Sequence, residues 1–330
     1  MTGGGTGPAA AAPATPPEVV LRLVRERAAA RSARDFATAD DLRGRIEAAG
    51  WRVEDVSGGI RPEGYVLTPA ATFPAADRID DLRRPPGPAP ARRATVGLLV
   101  DGWPEDVRRC SGALLEHHPP GGVVSAHDRG DVDGAGMVLH ELAAAHPGRV
   151  EAWHVAGRGV RPGWGLSRTA LLRLDPAPAH VVMDLSVVLD GDAVTPLLDM
   201  LDADPSVVAA GWQGVLVDTD DEWRSVRPAG PGEVDALLGY LFAVRTPAAM
   251  TAPPHPKAGF YRNADLEWSL ALREQGGRLV VPAVDLPCHA ERHRGFHDSD
   301  PDVRDRESRR TYQRMLRRFR GRTGLLAPRP

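Results

Sequence analysis

Apolar positions recur along this 330-residue chain at two periods, and the switches between them mark its elements. Val20, Leu23, Val24 and Ala28, then Phe36, Ala39, Leu42, Ile46 and Ala49, repeat at helical spacing. They predict an antiparallel helix pair whose second member stops at Gly50. Residues 51–56 and 60–67 are short extended runs around Ser57-Gly58-Gly59, where glycine supplies the positive φ of a hairpin turn. From Ala94 onward strand-type and helix-type runs alternate: 95–100, 105–117, 122–126, 138–145, 150–154, 166–174, 181–185, 193–201 and 207–210. That alternation predicts an α/β unit with a doubly wound, mainly parallel sheet flanked by helices.

The densest chemistry lies between Phe260 and His293. Asp265 sits at the amino end of a predicted helix containing Leu266, Ser269, Leu270 and Arg273, which stops at Gly276-Gly277. A short central strand over 279–284 then delivers Asp285, Cys288, His289 and His293 to the loop at its carboxyl end, where open α/β sheets bind ligands. Other strand ends are polar too: His127, Asp128, Asp131 and Asp133 after the second, Gly157-Arg158-Gly159-Val160-Arg161 after the third, Asp184-Leu185-Ser186 after the fourth.

Composition divides the chain. Residues 1–16 hold nothing large and apolar and are expected to be disordered. Residues 17–68 form the helix-pair and hairpin module, and 69–93, with Pro69, Pro74, Pro85, Pro86, Pro88 and Pro90, read as a linker. The α/β unit follows over 94–300, and 301–330 form an arginine-rich amphipathic helix and tail. A net charge of −3 gives no global electrostatic case for nucleic acid or membrane. Cys110 and Cys288 lack metal-binding spacing, so a reducing cytoplasm is expected. No apolar run reaches the ~18 residues of a spanning helix, and the first residues lack the basic start of a signal peptide.

The segment Tyr261-Arg262-Asn263-Ala264-Asp265-Leu266 and the histidines that follow resemble family 2 glycosyltransferases of the GT-A fold, the nucleotide-diphospho-sugar transferases. The resemblance implies Asp265 as catalytic base, with Asn263 where many members carry an acid. It implies Asp128 as the acid that contacts the nucleotide base, and Gly163, Gly165 and Arg168, with Thr169 for the usual Asn, as the pyrophosphate stretch. Asp184-Leu185-Ser186 stands at the metal motif, with Ser186 replacing a second carboxylate, and His289 and His293 face the metal or phosphate. A hard cation, Mg²⁺ or Mn²⁺, would neutralise the departing diphosphate, and Asp265 would take the proton of an acceptor hydroxyl. The implied activity is inverting transfer of a sugar from a nucleotide-diphosphate donor to a glycan, lipid or small-molecule acceptor.

A second resemblance rests on Asp35-Phe36-Ala37-Thr38-Ala39-Asp40-Asp41-Leu42-Arg43, which is similar to the C-terminal tail of cysteinyl-tRNA synthetases. It implies RNA contact or protein docking. Aminoacylation is not expected, since no adenylate-binding segment or zinc cysteines accompany it.

Each residue also has a plainer reading. Asp184 ends a strand, Asp265 is favoured at a helix amino end by the macrodipole, the histidines lie in a loop, and Asp35 caps a helix. Three functions therefore remain open: an active transferase, a catalytically inactive GT-A-like protein that binds nucleotide or scaffolds a partner, and an RNA-associated protein. From Asp302 onward ten arginines stand against three acids, with Tyr312, Met315, Leu316 and Phe319 on one stripe. That pattern suits a docked helix with a solvated face, or one that touches anionic lipid at the inner face of a membrane. Trp212 and Trp223 are candidates for stacking on an acceptor sugar.

Overall fold

A computed structural model describes residues 16–55, 65–69, 73–86, 91–119, 121–130, 132–156 and 162–329. The hairpin turn at 57–59 with Ile60, Asp131, the 157–161 run, Pro88, Pro90 and the low-complexity start at 1–15 lie outside these residues.

The described chain forms two compact units, one before Phe73 and one from Phe73 onward. In the first, helices α1 (Glu18–Ser32) and α2 (Phe36–Ala48) pack on an antiparallel pair, β1 (Trp51–Asp55) and β2 (Tyr65–Pro69). Asp35 caps α2 by accepting from the Thr38 N–H at 3.1 Å. Val20, Leu23, Val24, Leu42, Ile46, Trp51 and Val53 bury the shared core. The Arg27 guanidinium forms a bidentate pair with Asp55 at 2.6 and 2.7 Å, tying α1 to the end of β1.

The second unit runs β3 (Ala94–Val100), α3 (Pro104–His117), β4 (Val123–Asp128), α4 (Ala135–Ala145), β5 (Val150–His154), α5 (Trp164–Leu174), β6 (Ala179–Met183), β7 (Val187–Leu189), α6 (Thr195–Ala203) and β8 (Val207–Gly211). There follow β9 (Gly214–Val217), β10 (Val226–Ala229), β11 (Gly232–Glu233), β12 (Ala236–Leu237), β13 (Leu241–Arg245), α7 (Thr246–Thr251), α8 (Ala264–Glu274), β14 (Arg278–Val281), β15 (Cys288–Ala290), α9 (Arg294–His297) and α10 (Pro301–Phe319). Eight strands make one sheet in the order β11-β14-β8-β13-β6-β3-β4-β5. It is mostly parallel, with β13 antiparallel to both its neighbours and β11 antiparallel to β14. A buried sheet of this kind needs apolar residues on both faces. All seven residues of β3 are buried: Val96, Leu98 and Val100 meet α3 and α4, and Leu99 faces the α5 and α8 side.

Two expectations change. The strand expected over 279–284 ends at Val281, because Pro282 has no N–H to continue the ladder, and it is next to the sheet edge rather than central. The described part of the expected linker is packed on the second unit. Phe73 stacks on His154 with ring centroids 3.8 Å apart, Ala76 bridges to Val155, and Arg84 pairs with Glu151 at 2.8 Å. Large side chains at Phe73 and Leu82 have a core to enter, which the prolines conceal.

The arginine-rich helix α10 is capped by Asp300 and docks on α8 through Thr311, Met315 and Phe319. Its charges are paired as well. Arg314 grips the 2 %-exposed Glu267 of α8 with two 2.6 Å bonds, Arg318 and Arg322 reach Glu274, and Arg320 reaches Glu222. Removing one partner of a buried pair strands the other charge. Arg314→Ala is therefore expected to lower the unfolding free energy by about 3–5 kcal/mol in denaturant titration, and Arg314→Met with Glu267→Leu to recover much of it. An Arg314→Ala loss no larger than that of a surface pair, under ~1 kcal/mol, rules this account out.

Candidate functional site

Strands β3 and β6 lie side by side, so the residues just past their carboxyl ends, Asp101 and Asp184, are brought together. They share a cavity of about 20 Å³ with Trp103, Ser186, Tyr261 and His293. Asp184 turns its carboxylate back on its own loop, and Oδ1 accepts from the Ser186 N–H at 2.8 Å and the Ser186 hydroxyl at 2.6 Å. Its Oδ2 lies 3.0 Å from His293 Nε2. His293 Nδ1 accepts from the Phe296 N–H at 2.9 Å, capping α9, so the ring proton sits on Nε2 and points at Asp184. Burial pushes the Asp184 carboxyl up, but the bonds from His293 and Ser186 outweigh it and hold it below its ordinary value. Asp101, beside Arg129 at 3.2 Å, is instead raised, because its burial outweighs that arginine.

Asp265 enters from α8. Asn263 takes a left-handed conformation, φ 68°, just before the helix, and its amide donates to the Ser308 carbonyl of α10 at 3.1 Å. Asparagine and aspartate both tolerate that backbone, but only the amide can donate to the Ser308 carbonyl. Asp265 Oδ2 accepts from the Gly239 N–H at 2.8 Å and Oδ1 from the Leu266 N–H at 2.9 Å. Burial raises its carboxyl despite these bonds. The neighbouring Tyr240 phenol is raised by burial and then by the charges of both Asp184 and Asp265, and the Tyr240 carbonyl accepts from the Asp184 N–H at 2.9 Å. Asp101, Asp184, Asp265, His293 and Tyr240 thus form one electrostatic group.

Other expected site residues lie elsewhere or face inward. Asp128 is 1 % exposed, with Oδ1 accepting from the Gly130 N–H at 3.0 Å and Oδ2 3.0 Å from His154, its partner across the β4–β5 ladder. It does not open toward a ligand. Arg168 is 2 % exposed and donates to the carbonyls of Gly97 at 2.6 Å and Met183 at 2.9 Å, so its hydrogen bonds join strands. Gly163 and Gly165 make room for backbone: a Cβ on Gly163 would meet Gly259 Cα at 2.8 Å, and one on Gly165 would overlap the His255 carbonyl. The segment around His255 is thereby held against α5, with the Gly165 N–H bonded to the Ala258 carbonyl at 2.8 Å. His289 is half exposed and pairs with Asp190 at 2.7 Å across β15 and β7, away from the Asp184 cavity. Trp223 is buried in the core.

Asp101, Trp103 and Arg129 escaped the sequence reading. The Asp101-Gly102 pair at a strand end carried a usable signal, whereas nothing marked Trp103, whose φ of 55° places a bulky residue in strained backbone at the cavity wall.

Among the described residues no cluster of three or more His, Cys, Asp or Glu is placed to hold a metal, and no helix is long and apolar enough to cross a membrane. Asp184 is the ligand its loop offers, whereas His293, whose Nδ1 accepts the Phe296 N–H, carries its proton on Nε2 and is a donor toward Asp184 or a phosphate oxygen.

No protein-family model matches the chain. Over 54 residues it is 50% identical to a cysteine–tRNA ligase of Opitutus terrae, covering 16% of this chain and 11% of that protein. Its fold is similar to that of GalNAc-T7, solved with UDP, GalNAc and Mn²⁺, with a TM-score of 0.55 at 13% identity over 68% of this chain and 48% of that one. It is also similar to the mannosyltransferase PcManGT of Pyrobaculum calidifontis, solved with GDP-Man and Mn²⁺, with a TM-score of 0.50 at 18% identity over 73% and 69% of the two chains. The chain spans about half the length of the first structure and a ninth of the ligase. The fold of the second unit is that of the GT-A glycosyltransferases.

The glycine packing has a clear test. Gly165→Ala is expected to cost about 1–3 kcal/mol of stability by overpacking. Gly112→Ala, in open space on α3, is expected to gain about 0.5–1 kcal/mol. Equal responses of the two variants in urea unfolding would contradict the assignment.

Proposed function

We propose that the second unit is an inverting, family 2-like glycosyltransferase that takes its sugar from a nucleotide-diphosphate donor. The observation that carries this reading is the grouping of Asp184 and His293 in one cavity, with Asp265, outside that lining at the start of α8, within electrostatic reach of His293 and, like Asp184, of Tyr240. Asp184, with the Ser186 hydroxyl beside it, would hold Mg²⁺ or Mn²⁺ together with the donor phosphates, and His293, protonated on Nε2, would donate to a phosphate oxygen. Bound there, the cation would neutralise charge that develops on the leaving diphosphate.

Asp265 is the base. Each of its oxygens accepts one backbone N–H and keeps a second lone pair, so the carboxylate is held in place and still able to take a proton. The acceptor O–H gives its proton to Asp265, and the oxygen forms a bond to the anomeric carbon. On the opposite face the bond from that carbon to the diphosphate breaks, and configuration inverts. Burial makes Asp265 a stronger base than an exposed carboxylate. Tyr261 and Trp103 wall the cavity and restrict water. Asp101, which lines the same cavity and pairs with Arg129, is our candidate for contact with the nucleotide half of the donor in place of the inward-facing Asp128. RNA contact by the first unit is a separate proposal, supported by its synthetase-like segment.

The experiment is a turnover and binding screen against UDP-, GDP- and dTDP-sugars with and without Mn²⁺. Asp265→Asn is expected to lose ~10²–10⁴-fold in kcat with donor affinity kept. Asp184→Ala is expected to lose metal-dependent donor binding. Binding without turnover that Asp265→Asn leaves unchanged would instead identify an inactive nucleotide-binding protein. The rate should fall as pH drops through the raised Asp265 pKa, above the ordinary Asp value of about 3.9. An acid limb that Asp265→Asn leaves in place contradicts this assignment.

A further inference from the structure

A second cavity shares no lining residue with the first, and no role has been assigned to it. It is a groove of about 340 Å³ at the carboxyl ends of β8 and β14, within the range of small-ligand sites. Trp212, Gln213, Leu238, Pro282, Val284 and Asp285 are among its lining residues. It leads toward the proposed base: Leu238 is followed by Gly239, whose N–H holds Asp265, and by Tyr240, which packs edge-on against Trp212 with centroids 6.3 Å apart. Asp265 is not itself in the lining, so an acceptor would have to extend from the groove past Tyr240, which feels the Asp265 charge, to bring a hydroxyl to it.

The lining selects the acceptor. Asp285 is the one ionisable residue among the described residues that line the groove. A phosphorylated acceptor would be desolvated there without a cation and beside the Asp285 carboxylate, which disfavours it. A hydrocarbon chain would match the prolines and Val284, but it would leave polar groups without partners. Among the described residues no protein group accepts from the Trp212 indole N–H or bonds to the Gln213 side-chain amide, and Asp285 is exposed at the rim. An aromatic surface, an amide and a carboxylate with unspent hydrogen-bonding capacity suit a molecule with apolar C–H faces and many hydroxyls. We propose that this groove is the acceptor site and that it takes a neutral saccharide. The inference rests on the transferase reading for its role in catalysis, and on the groove itself for binding.

The test uses the full chain and follows indole resonances by NMR, with Trp212 assigned from Trp212→Phe. Maltose, cellobiose, chitobiose and mannobiose are titrated alongside glucose 6-phosphate, and nucleoside diphosphate binding with Mn²⁺ is measured on the same samples. At least one neutral disaccharide is expected to shift Trp212, to bind about tenfold tighter than the sugar phosphate, and to weaken about tenfold in Trp212→Ala. Trp212→Phe, which keeps the stacking surface, is expected to lose less. The proposal is overturned if none of the four moves Trp212, if glucose 6-phosphate binds as well, or if Trp212→Ala leaves affinity unchanged in a folded protein. Nucleotide binding that survives such a failure leaves the transferase reading standing, whereas saccharide binding without nucleotide binding overturns that reading alone.

Discussion

Arg168 fixes the geometry on which the site depends. Its guanidinium is buried under the sheet, with one amino group on the Gly97 carbonyl of β3 and the other on the Met183 carbonyl of β6. Those strands carry Asp101 and Asp184, so one side chain sets the spacing of two acids. Burial of the cation lowers its pKa to about 10, and the nearby charges of Asp184 and Asp101 oppose that shift. The two acids thus help keep the buried arginine charged, while they themselves are offset by His293 and Ser186 at Asp184 and by Arg129 at Asp101.

The opposite wall is built differently. Asp265 is positioned by the start of α8, and α8 is held from behind by α10 through Glu267 and Arg314. Asn263 joins the two levels, since its left-handed backbone aims the first turn of the helix while its amide holds α10. A residue two positions before the proposed base is therefore part of a structural joint.

Much of this was legible in the sequence, for physical reasons. Buried parallel strands need unbroken apolar runs, so β3, β4, β5, β6 and β8 stood out, and the residues after them became candidates by position. Asp184 is a candidate of that kind, whereas Asp265 is singled out by its place at a helix start and by the family resemblance. Position does not say which way a side chain turns. Asp128 follows its strand as expected, yet parallel pairing sets His154 opposite it and the carboxylate bonds inward. Gly163 and Gly165 looked like a phosphate loop because glycine there permits close approach. The approaching group is the chain near His255, which is distant in sequence. Asp101 was overlooked because a lone acid after a strand has no spacing partner to announce it.

The arginines of α10 have a consequence for how the protein meets other molecules. In the sequence they form a dense positive block at the end of a nearly neutral chain. In the fold, carboxylates of α8 and of the turn at Glu222 neutralise several of them at close range. Paired charges of this kind cancel beyond a few ångströms, so they contribute little long-range field. Charge counted along a chain and charge felt by an approaching molecule are different quantities. Here the first overstates the second, and encounter rates with polyanions should depend on ionic strength less steeply than the arginine content suggests.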